Sequence, residues 1–360
     1  MLGKSKLAWI ILIALAVGIK LLSFSSDAVE KYYSMGIYPV IARIQRLLFG
    51  WLPFSIGDIL YAVAVMGLIY GLISLLKRLI RGQTGRAWWL ALAKHTLFIL
   101  LLVYTYFNLS WGLNYDRRGI VYQLQLNVQA YSTSELDTLL RAVVARINDE
   151  DSLAHLQRAA LAHNSSIFQG ATHSYEALSA QDRRFAYPSA SVKTSIYGYL
   201  GDYLGFGGYY NPFTGEAQVN TTVPVFSQPY TTCHEIGHQL GYARENEANF
   251  AGYLAARSSS DPAFRYSVYF DLYLYAAREL YLRDSTLLQP LRKQLSPAVK
   301  ADFKELQRFN RQYENPFEPV FRRLYGRYLR ANRQPQGMRT YNEVIAWLIA
   351  YGKKHGWEAL

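Results

Sequence analysis

Cysteine is almost absent from this chain. Cys233 is the sole example in 360 residues, which excludes an intramolecular disulfide and any metal framework built on paired cysteines. Long apolar runs are missing after residue 113, where the chain reads as an ordinary folded domain rich in Tyr and Arg. Internal repeats and a low-complexity tail are missing as well. A formal net charge of +12 raises the question of a nucleic-acid partner. The Lys and Arg are scattered along helical patterns, however, and no nucleic-acid-binding signature is present, so no such partner is expected. The 30 tyrosines are read first as core and interfacial aromatics.

The first 113 residues hold what the remainder lacks. Three stretches reach the length of about 20 apolar residues that a bilayer crossing requires: about 7–24, 57–76 and 94–113. Trp88, Trp89 and Trp111 bracket the third, as interfacial aromatics do, and Lys94 can snorkel. Lys4 and Lys6 precede the first stretch, and Lys77, Arg78, Arg81 and Arg86 crowd the loop between the second and third. The positive-inside rule then predicts a multi-pass protein of the cytoplasmic (inner) membrane, with its N-terminus and that loop in the cytoplasm and residues 114–360 extracytoplasmic. The first stretch would also suit a cleaved signal peptide, with Ser23, Ser25 and Ser26 behind it. Residues 29–49 show helical apolar spacing broken by Gly36 and Pro39, which predicts a short amphipathic element on the outer membrane face.

Residues 114–360 are expected to form one domain. Ser132 or Ser134 would cap a helix running to about 148, with a second continuing to about 162. Residues 195–220 are rich in Gly and Tyr, and Ala217–Val223 alternates like a short strand. Helical patterns then cover about 245–257, 262–284, 298–312, 316–331 and 341–354. The fold class is therefore mainly α with a small β element.

The sequence Thr231-Thr232-Cys233-His234-Glu235-Ile236-Gly237-His238-Gln239-Leu240-Gly241 carries the chemistry. Positions i and i+4 share a helix face, so His234 and His238 can present two imidazoles to one Zn²⁺, with Glu235 beside them as the catalytic acid–base. The motif arises by chance about 0.005 times in a chain of this composition. Cys233, at position i−1, points away and is not counted as a ligand. Gly241 suits the left-handed residue that ends the helix. One further protein ligand is needed. Zinc peptidases of the thermolysin-like kind take it from a Glu on a second helix, and Glu245 with Asn249 as a supporting residue fits that spacing. Glu247 is the rival, about 160° away on the same helix. A regular helix cannot bring both to one ion. Tyr209, Tyr210, Asn220 and Tyr266 are candidate oxyanion donors. His155, His163, His173 and His355 lack partner spacing and are read as surface or core histidines.

The apolar stretches, Pro53-Phe54-Ser55-Ile56-Gly57-Asp58, the run Gly208–Glu216, the run Cys233–Phe250 and Phe264-Arg265-Tyr266-Ser267 together resemble the bacterial membrane family called domain of unknown function 3810. The resemblance covers nearly the whole chain. It implies N-terminal transmembrane helices followed by a zincin-like α+β metallopeptidase domain of gluzincin type, with one Zn²⁺ per chain. The expected activity is hydrolysis of peptide bonds in a peptide or protein substrate, on the outer face of the membrane. The Val219–Val223 strand would pair with that substrate. The alternatives are a non-catalytic zinc-binding membrane sensor and a membrane scaffold. An intramembrane protease is disfavoured, because the motif is distant in sequence from every apolar stretch.

Overall fold

The computed structural model describes residues 4–338 and 343–360. Among the described residues, three helices are long and apolar enough to cross a membrane: α1 (Lys4–Leu22), α4 (Ile56–Ile80) and α5 (Arg86–Ser110). Almost none of their apolar surface is covered by protein: 11%, 0% and 6% of the most apolar window is buried. Helices apolar all round and left uncovered are suited to lipid, not water. α1 packs on α5 through Trp9 and Phe98, whose rings lie 5.2 Å apart. All three lie within a residue or a few turns of the stretches expected. Ser55 caps α4 by accepting from the Asp58 amide.

Between α1 and α4 run α2 (Ser26–Ala28), a π-helical segment (Val29–Ile37) and α3 (Tyr38–Phe49). Gly36 and Pro39 do not break this run. Gly36 lies within the π-helical segment and Pro39 in the first turn of α3, and the Tyr38 amide donates to the carbonyl of Tyr33. Nor does the segment merely lie on a membrane face. Glu30 and Arg117 form a buried pair, with guanidinium-to-carboxylate bonds of 3.0 and 2.9 Å, and Arg117 also donates to the carbonyl of Gly241 at 3.0 Å. Residues 29–49 are thereby built into the domain that follows.

That domain begins with α6 (Ile120–Gln123), α7 (Thr133–Gln157) and α8 (Asn164–Gln181). Ser132 is the cap of α7, in a reciprocal box with Glu135. α7 runs on to Gln157 as one helix where two were expected, because its buried face continues from Val143, Val144 and Ile147 through Asp151 to Ala154. The helices α12 (Pro262–Arg283), α13 (Ser285–Gln294), α14 (Pro297–Gln312) and α16 (Val344–His355) complete the core with α7. The expected start of the last helix, at 341–342, falls outside the described residues.

The β element is a three-stranded sheet of β1 (Val192–Thr194), β2 (Gly208–Asn211) and β3 (Glu216–Val219), with the seven-residue α9 (Gly198–Leu204) between β1 and β2. The order is β1-β3-β2, β1 parallel and β2 antiparallel to β3. The strand expected over 217–223 stops at Val219. Asn220 turns the chain out of the sheet by accepting from the Thr222 amide at 3.0 Å. β3 is moreover the central strand, so Val219–Val223 cannot receive an added strand; β1 and β2 are the edges.

Removing one partner of a buried, hydrogen-bonded ion pair strands the other charge, which typically costs about 3–5 kcal/mol. Arg117→Met is therefore expected to lower stability by about that amount, measured by denaturation in detergent micelles. A change near zero would show that the Glu30–Arg117 pair does not tie the N-terminal segment to the domain.

Candidate metal centre

α10 (Gln228–Gln239) carries the His-Glu-x-x-His sequence. Pro229 sits in its first turn, where no amide partner is lost. Its other end is a Schellman turn: the Gly241 amide donates to the carbonyl of His238 at 2.9 Å and the Tyr242 amide to that of Gly237 at 3.2 Å. Gly241 has φ +85, which a residue with a Cβ rarely adopts. This turn has a chemical consequence. It brings the carbonyl of Tyr242 to 2.8 Å from Nδ1 of His238, fixing that nitrogen as the protonated one and leaving Nε2 free to act as an acceptor.

α11 (Glu245–Arg257) packs tightly on α10. A Cβ at Gly252 would stand 2.9 Å from the His234 backbone nitrogen, so this close approach requires glycine. The approach carries Glu245 to the histidine pair. Its Oε2 lies 3.3 Å from Nε2 of His234 and 3.5 Å from Nε2 of His238, and the two imidazole rings stand perpendicular. Single ligand atoms of His234, Glu235 and His238 also fall within 4.8 Å of one another. Every side chain in this group is buried. Glu247 points elsewhere. Its carboxyl faces the backbone of Gly119 and comes no closer than 3.8 Å to Arg244, so the rival positions are separated by geometry. Asn249 is buried on the same helix. Cys233 is buried on the core side, where its carbonyl accepts from Tyr175.

The electrostatics follow from this packing. Burial opposes charge on Glu245, but the two imidazoles facing it outweigh that and hold the carboxyl well below its usual range. Burial likewise opposes charge on His238, yet Glu245 overrides it and lifts the imidazole to about 9. Glu235 has no such bonded partner. Burial pushes its carboxyl to about 7 against the pull of His234 and His238, and its Oε2 makes no hydrogen bond. The backbone of Gly208, on edge strand β2, lies directly over this acid; a Cβ there would meet Glu235 Oε1 at 2.7 Å.

Three of the four expected oxyanion donors, Tyr209, Asn220 and Tyr266, are hydrogen-bonded elsewhere, whereas the buried hydroxyl of Tyr210 makes no hydrogen bond. Tyr209 donates to Asp58 at 2.5 Å, at the start of α4. Tyr210 is buried with its ring 5.0 Å from that of Trp111. Asn220 is bonded to Asp202, Gly198 and Thr222. Tyr266 donates to Asp302 at 2.6 Å beside His155, away from the motif. Two other residues stand at the site. Tyr325, on α15 (Glu318–Ala331), donates to Glu245 Oε1 at 2.8 Å. Asp271 on α12 is raised to about 7 by burial, opposed by the charge of His234. An acid in an aromatic helix was a readable signal for Asp271; among so many tyrosines, nothing distinguished Tyr325.

The site is also close in space to the apolar helices, contrary to what sequence distance suggested. Trp111, one residue past α5, donates to the carbonyl of His238 at 3.0 Å, and the two rings lie 6.0 Å apart.

The family model for a protein of unknown function, DUF3810, matches residues 33–349. The chain belongs to this family. No curated protein and no solved structure matches it. The match spans α3 to α15 and so includes the whole histidine–glutamate cluster.

The native Glu235 carboxyl keeps its proton to about pH 7, whereas an unfolded glutamate releases it near 4.5. The cost of ionising it in the folded protein is therefore absent below pH 4.5 and complete above pH 7. In the presence of a chelator, Glu235→Gln is expected to stabilise the protein at pH 8 by on the order of 3 kcal/mol and to have little effect at pH 4.5. Melting curves at the two pH values read the difference. Equal effects at both would remove the burial argument for Glu235.

Proposed function

We propose that the chain is a membrane-anchored zinc-dependent metallopeptidase, hydrolysing peptide bonds on the outer face of the cytoplasmic membrane. The observation that carries this reading is the spacing of Glu245 Oε2 from the two histidine Nε2 atoms, 3.3 and 3.5 Å. Ligand atoms held at about 2.0–2.1 Å around a tetrahedral ion stand about 3.3–3.5 Å apart. A direct charge-assisted hydrogen bond would close to about 2.7–2.9 Å. Two neutral imidazoles and a carboxylate are also the donor set that zinc favours at catalytic sites.

His234, His238 and Glu245 would hold one Zn²⁺ per chain, with Asn249 in support. Bound there, the ion would polarise a substrate carbonyl and acidify an attacking water. Glu235 supplies the proton transfer. Its unpartnered Oε2 takes the proton from the water, and the same carboxyl hands it to the leaving amine. β2 pairs on one side only, so its open side is available to an extended peptide passing over Gly208 and Glu235. Tyr325, which donates to Glu245 Oε1, would steady that carboxylate, and Tyr210, whose buried hydroxyl makes no hydrogen bond, stays the candidate donor for the developing oxyanion.

The cellular placement rests on charge and chain direction. The domain meets the N-terminal end of α4 and the C-terminal end of α5, through Asp58 and Trp111. The Lys77–Arg86 loop is at the opposite ends of both helices. With that loop in the cytoplasm, the domain faces outward.

Metal content by mass spectrometry on detergent-purified protein tests the reading. About one zinc per chain is expected in the parent and in Glu247→Ala, and none in His234→Ala or Glu245→Ala. Glu235→Gln is expected to keep the metal while peptide hydrolysis falls by about 10²–10⁴-fold. A parent that takes up no zinc even after incubation with the metal would sink the proposal. Retained zinc without hydrolysis in the parent would favour a sensor.

A further inference from the structure

α15 has two faces of different chemistry. Its inner face carries Phe321, Tyr325 and Leu329 toward the domain, Tyr325 reaching Glu245. Its outer face carries Phe317, Val320, Leu324 and Tyr328, between 42% and 72% exposed. At about 100° per residue these four fall within an arc of about 80°, one continuous apolar stripe. Arg327 and Arg323 follow along one edge of the stripe, both exposed, and the helix's one acid, Glu318, is paired with Arg322. An exposed apolar stripe edged by arginine on a folded domain needs an occupant.

The surroundings identify it. The stripe is continuous at both ends with the outer ends of the apolar helices. At one end, the Tyr328 hydroxyl lies 3.2 Å from that of Tyr115, whose ring packs on Trp111 just past α5. Tyr61, in the second turn of α4, also lies within electrostatic reach of Tyr328. At the other end α15 joins α9. The rings of Phe321 and Phe206 lie 6.1 Å apart, and Asn315 donates to the carbonyl of Tyr203. α9 and its approach expose Ile196 and Leu200, and the Ile196 amide is bonded to Asp58 at the start of α4. The apolar surface thus lies at the level where α4 and α5 emerge.

The geometry points to a lipid-binding surface outside the three apolar helices: the outer face of α15, with α9, lies in the headgroup region of an anionic bilayer. The stripe enters the acyl boundary, and Arg323 and Arg327 lie at headgroup depth, where their long stems reach phosphate. The inference stands apart from the peptidase reading. It requires only that α4 crosses the same bilayer. Because the inner face of α15 holds Glu245 through Tyr325, the bilayer surface and the histidine cluster share one helix.

Site-directed spin labelling of the full chain in nanodiscs of phosphatidylethanolamine and phosphatidylglycerol tests this. Cys233 is buried and leaves an introduced cysteine as the accessible one. A label at Leu324→Cys is expected to be more accessible to oxygen than to a nickel chelate, at a depth shallower than a label at Val65→Cys within α4. A label at Lys304→Cys on α14 is expected to be aqueous. Adding Arg323→Glu and Arg327→Glu is expected to shift the Leu324 label at least about twofold toward nickel. Val320→Cys repeats the measurement if Leu324→Cys does not fold. A label at 324 that behaves like the one at 304, that is shielded from both reagents as against another protein, or that ignores the charge reversal, overturns the proposal. A shallow label at Val65 would instead overturn it by removing α4 from the bilayer.

Discussion

The carbonyls at the end of α10 are the constraint on which the rest of the structure depends. A helix leaves its last carbonyls without partners, and buried ones must find donors. Here the donors come from far away in the chain. Trp111 takes the carbonyl of His238, Tyr38 and Arg46 take that of Gln239, and Arg117 takes that of Gly241. Each belongs to the segments between or just after the apolar helices. The helix that bears the histidines is therefore capped by the part of the chain nearest the membrane. Displacing that part would leave the carbonyls of Gln239 and Gly241 unpaired, at a cost of about 1–3 kcal/mol each.

From this fixed end the cluster assembles by close packing. The turn at Gly241 reverses the chain within a few residues, and Gly252 lets α11 approach until Glu245 reaches both imidazoles. The sheet closes the other side, with Gln239 donating to Ser191 and Gly215 and so fastening α10 beneath it. The result is three carboxyls in three environments. Glu245 is held as an anion by the imidazoles, Glu235 is raised by burial, and Glu247 is raised by burial against the pull of Arg244 and Arg117. Environment alone separates residues of identical chemistry.

The sheet and α15 show what pattern reading can miss. Alternation in 217–223 signalled a strand, but alternation carries no information about which neighbours pair, and it did not show that β3 would be central. The helical period of 318–331 was legible, and its two-sidedness is a real property of the sequence. Which side would face protein was not, because Phe321 and Leu324 are equally apolar in a sequence and only the packing of Tyr325 on Glu245 distinguishes them. Three of the candidate oxyanion donors are held elsewhere for a related reason: Tyr209, Asn220 and Tyr266 hydrogen-bond to acids distant in sequence.

By itself the sequence determined the local and periodic features. Apolar runs of bilayer length, the i, i+4 histidine pair with its adjacent acid, the glycine that ends their helix and the mainly helical class follow from interactions within a few residues. So does membership of the family, which rests on residue order. Tertiary structure decided what depends on long-range approach. It directed Glu245 and not Glu247 toward the histidines, and brought Tyr325 and Asp271 to the cluster. It joined residues 29–49 to the domain and set Trp111 against His238. Those outcomes depend on which buried polar groups must be paired and which small residues allow backbones to meet, and both are properties of the packed interior.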